Sequence, residues 1–230
     1  CDQISDVILD LYLKYDKNSR VACETLATTN TVIISGEVKS SSDKINKESI
    51  ENIIREKVKD IGYEQTGFDW QSMKIFNYLH EQSADISMGV DRVSDEEVLG
   101  AGDQGIMFGY ACSETPSLMP APIFYAHKIL EELSSYRKNN DSFFLPDSKS
   151  QVSMSYENGV PKKVESLVVS TQHCETASNS EIREKVIEII ERAIPLNILP
   201  HKDHILINPT GRFVIGGPDG DTGLTGRKII

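Results

Sequence analysis

The sequence has no apolar run of the roughly 18 residues that a helix needs to cross a membrane. It also lacks a long basic stripe, and its 35 acidic residues outnumber 24 Lys and Arg to give a formal net charge of −11. Proteins that bind duplex nucleic acid neutralise phosphates with clustered cations. We therefore predict no membrane span and no nucleic-acid partner. Any anionic substrate must be held by locally placed Lys and Arg, or by a metal.

Cysteine is scarce, and no two cysteines form a C-x-x-C pair. The four are Cys1, Cys23, Cys112 and Cys174. This usage favours free thiols in a reducing compartment, so we expect a cytoplasmic protein. The stretch His201-Lys202-Asp203-His204 lacks further partners at metal-site spacing and is interpreted as a polar loop. No Ser/His/Asp or Cys/His constellation suggests nucleophilic catalysis.

Hydrophobic periodicity predicts the same order of elements twice. The first set is a helix at Asp2–Asp16, strands at Arg20–Thr28 and Thr31–Ser40, a helix at Asn46–Ile61 ending at Gly62, and a strand at Lys74–Glu81. The second set is a strand at Gly105–Cys112, a helix at Pro120–Lys138, strands at Gln151–Tyr156 and Val164–Thr171 around an Asn158-Gly159 turn, a helix at Ser180–Ile194 capped by Ser180, and a strand at His204–Asn208.

This order predicts an α+β fold of repeated βαββαβ units with helices on one face of mixed sheets. The expected divisions are a first unit at 1–84 whose leading strand is missing, a gate loop or linker at 85–99, a second unit at 100–215, and the start of a third at 216–230. Cys1 already stands in a helical turn, and the last residues resemble the start of a strand. We therefore expect the 230 residues to be part of a longer protein.

Two glycine-rich stretches invite a nucleotide-binding interpretation. GAGDQGIMFGYA, at Gly100–Ala111, has the G-x-G-x-x-G spacing of a dinucleotide turn. That turn follows a buried strand and opens a helix, whereas here an acidic segment precedes it and a strand-like segment follows, so we reject the dinucleotide site. GGPDGDTGLTGRKII, at Gly216–Ile230, is not a Walker loop, but glycine amides with Arg227 and Lys228 suit an anion. A flexible turn before a strand would explain the same residues.

Together, these stretches resemble the two signature segments of the S-adenosylmethionine synthetase (methionine adenosyltransferase) family. Further similar segments follow in the family's order and cover nearly the whole chain: DQISDVILD, RVACET, SGEV, EQSADISMGVDR, LMPAPIFYAHKI, DSKSQV, STQH and INPTGRFVIGG.

The resemblance implies a reaction, a fold and partners. The methionine sulfur attacks the ribose C5′ of ATP, and the displaced triphosphate is hydrolysed to pyrophosphate and phosphate. Mg²⁺ and K⁺ are the implied cofactors. The implied fold has three βαββαβ repeats in a pseudo-threefold arrangement. The implied assembly is a homodimer or a dimer of dimers with active sites at the subunit interface.

Site residues follow from the resemblance motif by motif. The cations Arg227, Lys228 and Lys149 resemble the catalytic contacts to the ATP phosphates. Further ATP contacts correspond to Asp147, Arg212, Phe213 at the adenine, and Asp221, which is shared with methionine. Methionine contacts correspond to Glu37, Gln82 and, at the methionine or ribose end, Asp103. Glu24 resembles the potassium ligand, and the magnesium ligands are expected outside this chain. Taken singly, each residue could instead be an ordinary surface or core residue.

Two departures from the family pattern bear on activity. Ala84 stands where the family usually has Pro, in a segment, Gln82–Arg92, that resembles a mobile gate. Loss of Pro enlarges the unfolded ensemble of such a loop and is expected to loosen it. The His-Pro-Asp-Lys segment and the residues that follow GRKII are not in this sequence, so we expect the 230 residues alone to be inactive. A non-catalytic homologue that acts as an assembly or regulatory partner stays the alternative.

Overall fold

The computed structural model describes residues 1–82, 104–139 and 143–227. Two compact units divide the chain: the first takes in the described residues of Cys1–Phe108 and Gly217–Ile230, and the second is Gly109–Gly216. The predicted gate loop at 85–99, Asp103 and Lys228 lie outside the described residues. None of the helices in the described ranges is long and apolar enough to cross a membrane.

Two amphipathic helices supply half of the first core. Helix α1 spans Asp2–Tyr15 and α2 spans Lys47–Ile61, as the sequence predicts. Both bury apolar residues at helical spacing: Ile4, Ile8, Leu11, Ile50, Ile54 and Val58. Asn46 and Ser49 cap α2 reciprocally, with each side chain bonded to the other's backbone N–H, and Gly62 ends the helix at φ 100°.

The first sheet is built on a β-hairpin. Strands β1 (Arg20–Thr28) and β2 (Thr31–Lys39) pair antiparallel, and after α2 and a short hairpin of β3 (Glu64–Gln65) and β4 (Phe68–Asp69), strand β5 (Lys74–Glu81) pairs parallel to β2. Alternate residues pack inward with the helices, for example Ala27, Val32 and Ile34. The opposite face carries exposed side chains at Glu24, Ser35 and Tyr78.

The loop after β2 is tied to the end of α1. Asp16 accepts hydrogen bonds from the backbone N–H of Ser41 at 2.9 Å, from the Ser41 hydroxyl at 2.8 Å and from the backbone N–H of Asn18 at 2.9 Å. These donors, the Ser41 amide foremost, lower the pKa of Asp16 to about 2 because they stabilise its charged form.

The second unit repeats the order of the first. Helix α3 (Ala121–Asn139) is followed by β6 (Phe144–Glu157), β7 (Val160–His173), α4 (Asn179–Ala193) and β8 (Ile205–Ile207). Strands β6 and β7 form a long antiparallel hairpin, and β8 pairs parallel to β7. Asn158 and Gly159 turn this hairpin at φ 54° and 76°, as their sequence predicts.

A last short strand returns to the first unit. Strand β9 (Gly223–Leu224) pairs antiparallel with Leu26 and Ala27 of β1, which gives the sheet order β5-β2-β1-β9. Mixed sheets with helices on one face confirm the α+β class. The shared order of helix, hairpin, helix and parallel strand in the two units agrees with the repeat inferred from the sequence.

Three element predictions are wrong. Gly105–Cys112 forms no strand within the described residues, and Phe108 is 93% exposed. A strand needs a partner for its backbone groups, and Cys112 instead donates to the carbonyl of Leu118 in a loop. The cap of α4 is Ser178, not Ser180, with Glu181 completing the capping box. Strands β6 and β7 are much longer than predicted because cross-strand pairing extends them through polar residues and past Pro146.

Candidate active site

The segment that ends in Arg227 is fixed to β1 and α1. The Thr225 backbone N–H donates to the Thr25 carbonyl at 3.0 Å, and the Thr225 hydroxyl donates to the same carbonyl at 3.0 Å. The Thr25 N–H in turn lies 2.5 Å from the Thr225 Oγ1. One residue further, the Gly226 N–H donates to a carboxylate oxygen of Asp2 at 2.9 Å. These bonds form a clasp, made by Thr25, Thr225, Asp2 and Gly226, that fixes the backbone directly before Arg227.

Asp221 and Arg227 line one pocket of about 290 Å³ beside this clasp. Its other lining residues are Cys1, Asp2, Thr222, Gly223 and Leu224. Asp221 is held in place through its backbone, whose N–H donates to the Gly217 carbonyl at 3.0 Å. The structure thus brings together one predicted carboxylate and one predicted phosphate-binding cation.

Two glycines in this segment have positive φ angles, and one of them also leaves no room for a Cβ. Gly217 has φ 63°, and a Cβ there would lie 2.4 Å from the ring of Tyr63. Gly226 has φ 72°, a backbone conformation that favours glycine, and no described atom lies within 4 Å of a Cβ built there. The turn considered from the sequence is thus present, with Gly217 and Gly226 in the left-handed region.

The second cluster lies in the second unit, at the end of β7. Gln172 and His173 are 0% and 2% exposed, although both are polar. The Gln172 amide donates to the Val214 carbonyl at 2.8 Å, and its oxygen accepts from the Asp147 N–H at 3.3 Å. The His173 Nε2 accepts from the Phe213 N–H at 3.1 Å, so its Nδ1 carries the proton and donates to the Cys174 carbonyl at 2.9 Å.

Gln172 and His173 therefore fix the segment that carries Phe213. Across from this segment, the Lys149 ammonium lies 5.9 Å from the centre of the Phe213 ring. Arg212 pairs with Glu175 at 2.6 Å, with both side chains largely exposed. Sequence reasoning assigned no role to Gln172 and His173, but for His173 the signal was there. His173 continues the inward alternation of Leu167, Val169 and Thr171, so its burial follows from the strand pattern, whereas that of Gln172 does not.

The third group lies on the exposed face of the first sheet. Glu37 of β2 stands opposite His80 of β5, with the Glu37 Oε1 3.5 Å from the His80 Nε2. Gln82 follows β5 directly, and its backbone N–H donates to the Val38 carbonyl at 3.0 Å. Glu24 is exposed on the same face, paired across the hairpin with Ser35. His80 was not predicted, and no motif identifies it from the sequence alone.

The described residues fit the two implied metals unequally. Glu24 offers one exposed carboxylate, an oxygen donor suited to a hard cation such as K⁺. Among the residues that the structure describes, no three His, Cys, Asp or Glu side chains form a group that could hold a metal ion.

The buried Cys23 thiol has the opposite of an activated character. Burial raises the pKa of the Cys23 thiol, which keeps it protonated. All four cysteines are free thiols. The chemistry available at these clusters is charge stabilisation by cations and carboxylates, together with aromatic stacking.

Comparison with known proteins matches nearly all of the chain. Residues 1–84 match the family model described as the S-adenosylmethionine synthetase N-terminal domain, and residues 98–213 match the model of its central domain. The chain is 55% identical over 231 residues to the S-adenosylmethionine synthase of Rhodospirillum centenum, and 54% identical to those of Maricaulis maris and Zymomonas mobilis. Each alignment covers 100% of this chain and 59% of the relative, so the chain spans about three fifths of the length of these curated relatives.

Proposed function

The chain belongs to the S-adenosylmethionine synthetase family, and on this premise we propose that the protein carrying it is a methionine adenosyltransferase. Its reaction forms S-adenosylmethionine from ATP and L-methionine. A sulfur lone pair forms the bond to ribose C5′, and the electrons of the C5′–O bond leave with the triphosphate. Water then splits the triphosphate into pyrophosphate and phosphate.

This chemistry suits the residue types at the three clusters. A thioether has no proton to lose, so the attack requires no general base, and no activated thiol is needed. The leaving group is a polyanion, and preorganised cations stabilise the charge that develops on it. The product is a sulfonium cation, for which a nearby carboxylate is favourable.

The observation that carries the proposal is the shared pocket of Asp221 and Arg227. The clasp fixes the backbone before Arg227, which supports the proposal that its cation binds the triphosphate. Asp221, on the same pocket, is the proposed carboxylate for the cationic end of methionine and the developing sulfonium. Lys228 would add a second cation to the same phosphates.

Adenine is assigned to the second cluster. Phe213 offers a ring held in place through its backbone by His173, and such a ring can stack on a base. Lys149, Asp147 and Arg212 lie on or beside the same elements and would complete the ATP contacts, with Lys149 acting on the phosphates.

The remaining predicted site residues are assigned to methionine and to the metals. The Glu37 carboxylate and the Gln82 amide would bind the amino-acid head, with Asp103 at the methionine or ribose end. Glu24 would supply one ligand to K⁺. Mg²⁺, when bound, would neutralise charge on the polyphosphate, and its protein ligands are proposed to lie outside this chain.

The proposed assembly is a homodimer or a dimer of dimers in which both subunits contribute to each active site. The proposed divisions of the chain are a first unit at 1–84, a gate loop at 85–99, a second unit at 100–215 and the start of a third at 216–230. A reducing compartment, the cytoplasm, is supported by four free thiols.

The test is product formation by the full-length protein. It is supplied with ATP, methionine, Mg²⁺ and K⁺, and S-adenosylmethionine, pyrophosphate and phosphate are measured. Arg227→Gln should lower kcat/KM by about 10²-fold, the loss of a charged transition-state contact. The matched control is Arg192→Gln, which removes an exposed cation that pairs with the exposed Glu188 at 3.9 Å. Absence of product from the wild-type protein would refute the transferase and favour a non-catalytic homologue.

A companion assay applies to residues 1–230 alone. We expect them to form no product while the full-length protein is active. Turnover by the 230 residues would show that the segments absent from this sequence are dispensable.

A further inference from the structure

His80 and Glu37 form a pair on the exposed face of the first sheet. They are register partners on the parallel strands β5 and β2, and the His80 Nε2 lies 3.5 Å from the Glu37 Oε1. The other ring nitrogen, Nδ1, lies 3.4 Å from the Tyr78 carbonyl. The side chains of His80 and Glu37 are 63% and 45% exposed, so both are accessible to solvent.

The pair has two charge states with different consequences for a cationic ligand. A neutral imidazole leaves the carboxylate of Glu37 available to an ammonium group. A protonated imidazole is itself a cation beside that carboxylate, so it satisfies Glu37 and repels a second cation. Histidine is the side-chain type that changes charge between about pH 5 and 8.

We propose that His80 is a positioning residue that sets the pH dependence of methionine binding, by competing with the substrate ammonium for the Glu37 carboxylate when protonated. The inference rests on the proposed function, because it takes Glu37 as the contact of the methionine ammonium. Protonation of His80 weakens methionine binding, and its neutral form permits binding.

Other charged or titratable groups share this face. Lys39 and Tyr78 lie one pleat away from Glu37 and His80 on the same strands, and Arg20 and Glu24 lie on β1 at positions diagonal to Glu37. None of these side-chain types changes charge over the range in which histidine titrates. Glu81 is the register partner of the buried Val38 and therefore belongs to the opposite face of β5.

The test is the KM for methionine of the full-length protein, measured at saturating ATP between about pH 6 and 8.5, the range in which histidine titrates. We expect the wild-type KM to rise about two- to fivefold on acidification, the size of an exposed ion pair, while kcat at saturating methionine stays unchanged. His80→Gln keeps a neutral polar side chain and should make KM independent of pH at the low value. His80→Lys places a permanent cation there and should hold KM at the high value throughout.

The matched control is His201→Gln. His201 also pairs with a carboxylate, that of Asp203 at 3.1 Å, and is exposed, but it lies in the second unit outside the candidate site. Its KM profile should follow the wild type. Thermal midpoints of all variants, within about 2 °C of the wild type, would show that the fold is intact.

The outcomes separate this inference from the function on which it rests. If the wild-type protein forms no S-adenosylmethionine, the proposed function fails. If it is active and His80→Gln keeps the acid rise in KM, the role of His80 is refuted while the function stands. A wild-type KM that falls on acidification would assign His80 to the substrate carboxylate and would overturn the proposal equally.

Discussion

Replacing Gly36 by alanine should disrupt the hairpin that carries Glu37 and Glu24. Gly36 lies in β2 at φ 136°, and a Cβ built there would be 1.9 Å from the carbonyl oxygen of Ala22 in β1. Real Cβ atoms do not approach closer than 3.0 Å, so the two strands would have to part by about 1.1 Å, the difference between these distances. A backbone atom, unlike a flexible side chain, cannot move away alone.

The expected cost has two parts. A left-handed φ strains alanine by about 1–3 kcal/mol. Parting the strands weakens one or two ladder hydrogen bonds next to the Cys23–Gly36 pair, at about 1 kcal/mol each. Gly36→Ala should therefore lower the free energy of unfolding of the first unit by about 2–5 kcal/mol.

Trp70 makes the measurement specific to this unit. It is the single tryptophan of the sequence, and in the first unit its indole N–H donates to Glu64 at 2.8 Å. Urea unfolding followed by its fluorescence should show a lower midpoint for Gly36→Ala. Gly105→Ala is the control in the same unit, since among the described atoms its Cβ would meet the Met107 sulfur at an ordinary 3.6 Å. Equal midpoints for the two variants would refute the steric argument.

Three further predictions concern the clasp, the second cluster and the loop after β2. Thr225→Val removes the hydroxyl that bonds to Thr25 and should raise the KM for ATP about five- to tenfold, measured by initial rates. Lys149→Met keeps the aliphatic stem and removes the ammonium, so kcat/KM for ATP should fall about 10- to 100-fold. Asp16→Asn should remove the part of the unfolding free energy that the wild-type protein loses as pH falls from about 4 to about 2. Because the folded-state pKa of Asp16 is lowered to about 2, its stabilisation is present above its ordinary value near 4 and is lost as pH falls toward about 2.

Each of these variants has a control in the same unit. Thr29→Val changes an exposed turn threonine and should leave the KM for ATP unchanged. Lys162→Met removes an exposed cation that pairs with Glu157 at 3.4 Å and should leave kcat/KM unchanged. Asp60→Asn removes an exposed helix carboxylate, and its acid unfolding midpoint should follow that of the wild type. If Asp16→Asn and Asp60→Asn lose stability alike between about pH 4 and 2, the hydrogen bonds to Ser41 carry no such role.

Periodic elements were predictable because a local pattern specifies them. Helix α2, its end at Gly62 and strand β5 follow from apolar spacing and a single glycine, and the Asn158-Gly159 turn follows from two residues. Gly105–Cys112 shows the limit of this reasoning. Its composition favours a strand, but strands depend on a partner, and a single sequence does not show which partner is present.

Resemblance supplied the roles of the candidate site residues, and those roles stay predictions. The contacts that hold these residues in place could not be predicted, because they form between distant parts of the sequence. Gln172 and His173 hold Phe213 from 40 or more residues away, and nothing in their local sequence names that partner. His80 meets Glu37 only because β5 pairs parallel to β2 in one register. Sequence separation therefore limits what a local pattern can reveal.

The return of β9 to the first sheet has a consequence for how the protein is made. Thr25 and Thr225 are separated by 200 positions, and the whole second unit lies between them. At a synthesis rate of roughly 5–20 residues per second, about 10–40 s pass between the synthesis of β1 and that of its neighbour β9. During that time its backbone is an open sheet edge, the kind of surface on which nascent chains aggregate. The second unit can complete its own sheet first, so the first sheet closes only after β9 is made, and slow translation would leave that edge exposed for longer.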